Sequence, residues 1–72
     1  MPLANIKVIN GVFSVAEKQQ MIENVTQALV DVEGEGLREH TVVIVEETKS
    51  GDWGIGGRAL TTKAVHQLRN RS

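Results

Sequence analysis

The chain has 72 residues, a net charge of −1 and no cysteine, so it has the length of one domain and cannot form disulfides or thiolate metal sites. Its charge gives no basic surface for nucleic acid, and its apolar runs are shorter than the roughly 20 residues that span a bilayer. The N-terminus lacks the charged and apolar regions of a signal peptide. We therefore expect one cytoplasmic domain over residues 1–72, with no metal, cofactor, nucleic-acid or membrane partner.

The small size of the chain predicts an oligomer. A domain of this length buries only about 60% of the surface of its unfolded chain, so its own core is marginal. Small scaffolds gain stability from disulfides, metals or assembly. Disulfides are excluded because there is no cysteine, and His40 and His66 lie too far apart in the sequence to suggest a metal site. Assembly with further copies of the chain is therefore the remaining way to gain stability.

The first predicted element is a strand over Leu3–Ile9 that ends in an Asn10–Gly11 turn. Ala4, Ile6 and Val8 share one face of this strand because side chains alternate with a period of two. The residues between them form a mixed face.

A long amphipathic helix is predicted next. Ser14 and Glu17 have the spacing of a capping box, and the helix continues to about Val32, before Gly34 and Gly36 end it. Its predicted core stripe follows helical spacing and consists of Met21, Ile22, Val25, Ala28, Leu29 and Val32. We expect this helix to be scaffold without chemistry.

The second predicted strand, Thr41–Glu47, is apolar on both faces. Val43 and Val45 point to one side, whereas Val42 and Ile44 point to the other. Strands of this kind belong to sheets covered on both sides, and one helix covers only one side. The pattern predicts an α+β fold with a β-α-β unit of parallel strands, whose second face needs another subunit.

The segment Gly51–Gly57 holds four of the seven glycines around Trp53, the only tryptophan. Glycine is favoured where φ is positive or where backbones approach closely, so this segment predicts a tight turn that positions the ring. Arg58–Leu60 follows as a short strand or hairpin arm, and Thr61 or Thr62 can cap a last short helix.

Four features in this order and spacing resemble the 4-oxalocrotonate tautomerase family of the small-subunit type: Met1–Pro2, Ile6–Gly11, Glu17–Gln19 and Trp53–Gly57. The resemblance covers the chain to about Leu60. It implies β-α-β subunits that pair into dimers and assemble into a hexamer. It also implies that the methionine is removed, and that the terminal proline moves a proton within a small enol or 2-keto acid.

By this resemblance Pro2 is the catalytic base and Trp53 is a wall of the substrate pocket. From position alone, Pro2 would simply start a strand and Trp53 would be an ordinary core or interface residue. The implied chemistry is reasonable, because an exposed α-amino group has a pKa of about 7.7–8.0 and apolar surroundings lower the pKa of an amine. A base tuned towards the working pH is the most effective.

Two departures from the family pattern concern the substrate and the C-terminus. Val12 and Val42 stand where the family carries arginines that hold the carboxylate and the 2-oxo oxygen, and valine cannot replace their bidentate grip. Arg58 is the best substitute cation. Weaker candidates are Lys49, Arg38 and His40. The tail beyond Leu60 is the second departure.

Three functions remain open at this stage. The first is a tautomerase-type isomerase that uses Pro2 as base. The second is a related lyase chemistry, dehalogenation by hydration or decarboxylation, in which a protonated proline acts as acid; hydration also needs a carboxylate, and Glu46, Glu47 and Asp52 are near in sequence. The third is a non-catalytic oligomeric binding protein. We favour the isomerase.

Overall fold

A computed structural model describes residues 2–70 of the chain. Its elements are β1 (Leu3–Ile9), α1 (Val15–Glu33), a 3₁₀ helix (Glu35–His40), β2 (Val42–Thr48), β3 (Trp53–Ile55), β4 (Arg58–Leu60) and α2 (Thr62–Arg69). β1 and β2 pair in parallel, and β3 and β4 form an antiparallel hairpin. The predicted α+β architecture, a β-α-β unit followed by a hairpin and a short helix, is confirmed. None of the helices described is long and apolar enough to cross a membrane.

Helix α1 begins at the predicted capping box. The Ser14 hydroxyl accepts from the backbone N–H of Glu17 at 3.1 Å, and the Glu17 carboxylate accepts from the N–H of Ser14 at 2.9 Å. At the other end the N–H of Gly34 donates to the Val30 carbonyl at 2.8 Å. Backbone groups that a helix leaves unpaired are thus satisfied at both ends, and the helix bounds agree with the sequence.

The face that α1 buries matches the predicted stripe only in part, because Met21, Val25 and Leu29 are half-buried whereas Ile22 and Ala28 are exposed. Val30 is 4% exposed and Val32 is 90% exposed, so the assignment of Val32 to the core was wrong. The helix is rotated towards the side that carries Val30 and Glu33. There the Thr41 hydroxyl contacts the two carboxylate oxygens of Glu33 at 2.8 and 3.0 Å, which ties the end of α1 to the start of β2.

The two faces of the β1–β2 sheet are covered unequally. Val43 and Val45, on the α1 side, are half-buried. On the opposite face Leu3 is 62% exposed, Val42 43% and Ile44 36%. This part of the face stays exposed within residues 2–70, whereas Ile9 at its other end is 5% exposed and buried in the pocket. The exposed part agrees with the two-sided pattern of β2, which predicts a subunit of an assembly.

The glycine segment forms the β3–β4 hairpin. Its two loop residues, Gly56 and Gly57, have φ angles of +59° and +81°, as a two-residue type I′ turn requires at both positions. In the resulting register Trp53 lies opposite Leu60 and Ile55 lies opposite Arg58. The turn therefore sets Trp53 at the base of the hairpin.

Candidate functional site

Helix α2 folds back over the loop between β1 and α1. Its side chains reach three successive loop carbonyls: Thr62 Oγ1 donates to Asn10, His66 Nε2 lies 2.9 Å from Gly11 O, and Arg69 Nη1 donates to Val12 O at 2.9 Å. A carbonyl oxygen only accepts, so Nε2 is the protonated nitrogen of His66 in this contact. These three bonds hold one face of α2 against the loop.

Gly11 permits this close approach. Its φ angle is +83°, and a Cβ at this position would meet Thr62 Cγ2 at 3.2 Å. Any other residue would be strained by the left-handed backbone, and its Cβ would require the Thr62 side chain to give by a few tenths of an ångström. The Asn10–Gly11 turn therefore does more than end β1, because it makes room for α2.

Arg69 makes the remaining contacts between α2 and the start of α1. Its guanidinium carbon lies 4.8 Å from the centroid of the Phe13 ring, a cation–π distance. Its Nη2 donates to Glu17 Oε2 at 2.7 Å. This bond is the main reason why the pKa of Glu17 is lowered to about 2, with the backbone bond at Ser14 contributing next.

An apolar pocket of about 200 Å³ lies between the end of β1, the loop, the hairpin and α2. Its apolar walls include Val8, Ile9, Phe13, Trp53, Leu60 and Val65. Val12, which is buried, and Lys7, whose side chain is exposed, complete the lining. The pocket can take a small apolar body, and Lys7 adds one positive charge to its wall.

One chain brings only part of the predicted site together. Trp53 lies in the pocket, and Arg58 lies near the tip of the same hairpin, exposed and outside the lining. Pro2 precedes β1, and the stretch of strand from Pro2 to Lys7, the first residue of the pocket lining, spans about 16 Å. The Pro2 carbonyl accepts from the N–H of Val42 at 3.1 Å.

The weaker cation candidates also lie away from the pocket lining. Arg38 donates to Glu35 at 2.5 Å and to Gln27 at 2.6 Å, and the bond with Glu35 raises the pKa of Arg38 and lowers that of Glu35. Lys49 and His40 are exposed. Among residues 2–70 no three His, Asp or Glu side chains gather as metal ligands would.

Of the eight residues that line the pocket, only Trp53 was among the predicted site residues, and the missed ones include its one charged residue, Lys7, and its second aromatic residue, Phe13. The alternation of β1 places Lys7 on the same face as Ile9, which was the only sequence signal for it. Phe13 gave no signal, because its place in the pocket depends on the folding back of α2.

Comparisons with known proteins agree with this fold. The family model described as tautomerase enzyme matches residues 2–63. Probable tautomerase K2 of Dickeya dadantii is 40% identical over 63 residues, which cover 88% of this chain and 92% of the relative.

Solved structures of the same family superpose well. A structure of the 4-oxalocrotonate tautomerase isozymes of Methylibium petroleiphilum has a TM-score of 0.72 and 34% identity, covering 89% of this chain and 97% of that one. TomN, a 4-oxalocrotonate tautomerase homologue in the tomaymycin biosynthetic pathway, has a TM-score of 0.74 and 30% identity over 99% of this chain and 100% of its own.

The match to TomN leaves almost no part of the chain outside the shared fold, so the similarity extends past Leu60 and includes α2. The resemblance carried by Pro2, the β-α-β unit and the Trp53 hairpin is therefore supported by sequence and by structure over nearly the whole length. The chain belongs to the tautomerase family.

Proposed function

We propose that the protein is an isomerase that moves a proton within a small enol or 2-keto acid, with Pro2 as the general base once Met1 has been removed. The observation that carries the proposal is the family match, which begins at Pro2 itself. Removal of Met1 leaves a secondary amine at Pro2, whereas a retained Met1 leaves a tertiary amide that cannot accept a proton.

The surroundings of Pro2 support its role as a base. Its neighbours Leu3 and Val42 are apolar and exposed, and the Val42 N–H fixes its carbonyl. Once a second copy covers these side chains, the apolar environment disfavours the ammonium form of the amine, so more of the amine is available to accept a proton. The amine takes the proton of the enol hydroxyl and returns it to carbon, which yields the ketone.

The distance between Pro2 and Trp53 supports a site built from more than one chain. β1 pairs with β2 along one edge, and no other strand of the described residues pairs with its second edge. An antiparallel β1–β1 pairing between two copies would set Pro2 of one copy beside the Ile9 end of the other. There Trp53 supplies an apolar wall that excludes water, whereas Arg58 lies on the same hairpin outside the pocket lining.

Two of the three carboxylates considered for a lyase-type hydration, Glu46 and Glu47, have structural partners, whereas none is described for the Asp52 side chain. Glu46 Oε1 accepts from Asn5 Nδ2 at 2.7 Å. Glu47 lies 3.4 Å from the Lys18 ammonium and accepts from the N–H of Gly11. A carboxylate that activates water must be able to accept its proton, so these contacts make Glu46 and Glu47 poor candidates for that role.

The experiment that tests the proposal joins mass spectrometry with kinetics. The intact mass of protein from its own host is expected to lack methionine. The purified protein is expected to ketonise phenylenolpyruvate faster than the dicarboxylate 2-hydroxymuconate, and Pro2→Ala is expected to abolish most of this activity. Pro2→Ala keeps the backbone carbonyl that bonds to Val42, so folding can be matched by circular dichroism.

A second variant controls for the change of side chain. One residue added before Pro2 converts its amine into an amide and keeps the ring, and this protein is expected to be as inactive as Pro2→Ala. A retained methionine in the native protein, or turnover that neither variant changes, would overturn the mechanism. The non-catalytic binding protein would then be the better description of the fold.

A further inference from the structure

The pocket beside Trp53 combines a small volume with almost uniform apolar walls. Its volume of about 200 Å³ lies below the roughly 300–1,000 Å³ of pockets for drug-sized ligands. Phe13 and Trp53 offer two aromatic rings to an occupant. A planar or short apolar body therefore fits this pocket better than a long polar chain.

The single charged residue of the lining is Lys7. Its register partner on β2 is Glu46, but the Glu46 carboxylate accepts from Asn5 Nδ2 at 2.7 Å. Within residues 2–70 the Lys7 amino group has no ion pair or hydrogen bond. It is therefore a cation at the wall of an apolar pocket that no described side chain neutralises by direct contact.

The other cations near the pocket are arranged differently. Arg69 Nη1 and Nη2 are directed to Val12 O and to Glu17, and Arg58 lies at the far end of the hairpin from Leu60. Neither of them lines the pocket. The one cation in the lining can pair with one carboxylate of a ligand. A second carboxylate would be buried against apolar walls without a positive partner, which costs free energy.

From these observations we propose that the Trp53 pocket binds monocarboxylates with an apolar or aromatic body, and that Lys7 is the residue that holds the carboxylate. The proposal rests on the proposed function only in naming the substrate class, since the binding itself needs no reactive proline. An ammonium is a point charge without the bidentate geometry of arginine, so Lys7 selects for the charge of the ligand more than for its orientation.

Trp53 makes the proposal testable without turnover, because it is the only tryptophan in the chain and its emission reports on the pocket directly. The probe is 3-phenylpropanoate, which has no enol to react. Its amide, 3-phenylpropanamide, has the same body without the charge, and hexanedioate presents a second carboxylate. Titrations are made on the assembled protein in the Pro2→Ala background, so that loss of catalysis and loss of binding are separate results.

Lys7→Gln is expected to weaken binding of 3-phenylpropanoate about tenfold, the size of a partly exposed charge-assisted hydrogen bond, and to leave the affinity for the amide unchanged. Glu46→Gln is expected to tighten binding of the acid, because it removes the negative charge that faces Lys7. The matched control is Lys63→Gln, which changes an exposed lysine of α2 outside the pocket and is expected to have no effect.

Three results would overturn the inference: no change of Trp53 emission with the acid, equal losses in Lys7→Gln and Lys63→Gln, or tighter binding of hexanedioate than of 3-phenylpropanoate. A Pro2→Ala protein that is inactive yet binds the acid in a Lys7-dependent way supports both proposals. If binding of the acid depends on Lys7 but turnover is unchanged by Pro2→Ala, the proposal for the pocket is supported and the mechanism with Pro2 as base is overturned.

Discussion

Arg69, the last residue of α2, donates from Nη2 to Glu17 Oε2 over 2.7 Å and so joins the C-terminal helix to the first turn of α1. This bond is the largest cause of the fall in the pKa of Glu17 from 4.5 to about 2. Because the folded pKa lies below the unfolded value, the ionised carboxylate stabilises the fold above pH 4.5, and this contribution is lost as the pH falls towards 2.

Glu17→Gln is expected to remove this part of the acid sensitivity. Unfolding curves in urea between pH 5 and pH 2 are expected to show a smaller uptake of protons on unfolding, by at most about one per chain. Arg69→Met is expected to act in the same direction. Glu23→Gln, an exposed carboxylate of the same helix with no described partner, serves as control, and an equal effect there would contradict the assignment.

The rotation of α1 predicts opposite outcomes for two nearby valines. Val30→Ala removes a side chain that is 4% exposed and is expected to lower the free energy of unfolding by about 2 kcal/mol. Val32→Ala changes a side chain that is 90% exposed and is expected to cost less than about 0.5 kcal/mol. Urea titrations at one protein concentration compare them, and equal costs would contradict the burial of Val30 in place of Val32.

Those two valines also mark the limit of sequence reasoning about the fold. Strand alternation gave the bounds of β1, and Ser14 with Glu17 gave the start of α1, because both are local patterns with a local physical cause. The rotation of α1 is not local. Leu29, Val30 and Val32 are all apolar, and only contacts such as Thr41 with Glu33 decide which of them faces the sheet.

The N-cap residue Thr61 stabilises α2, the helix that closes over the pocket. Its hydroxyl accepts from the N–H of Ala64 at 3.2 Å, and loss of such an N-cap costs about 1 kcal/mol. Thr61→Ala is expected to speed amide exchange across α2 and to shift Trp53 emission to the red as water enters. Thr61→Ser keeps the hydroxyl and is expected to behave as the parent, so identical behaviour of the two variants would argue against the cap.

The open face of the β1–β2 sheet predicts an assembly that a single charge disrupts. Ile44→Asp places a carboxylate in the middle of the face formed with Leu3 and Val42, and sedimentation is expected to show smaller species. The control is Val15→Asp, also at an exposed valine. It begins α1, where a negative charge is favourable. If both variants sediment alike, the open face is not the interface.

The candidate site was harder to predict than the fold, for a reason that Phe13 illustrates. Trp53 stood out because a lone tryptophan among glycines is conspicuous, and the family pattern named Pro2 and pointed to Arg58. Phe13 reaches the pocket lining beside Trp53, and Arg69 lies over its ring only because α2 returns to the β1–α1 loop. Contacts of this range depend on the tertiary fold, and no short pattern in the chain encodes them.

The bonds between α2 and the loop have a consequence for synthesis of the protein. They join residues separated by 52, 55 and 57 positions. The contacts that β1, α1 and β2 make with one another do not include these bonds, whose long loops close only once α2 is available. A chain cut short after the hairpin would therefore keep the residues of the β-α-β unit but lack the α2 wall, and the apolar surface around Trp53 would stay open to chaperones and proteases.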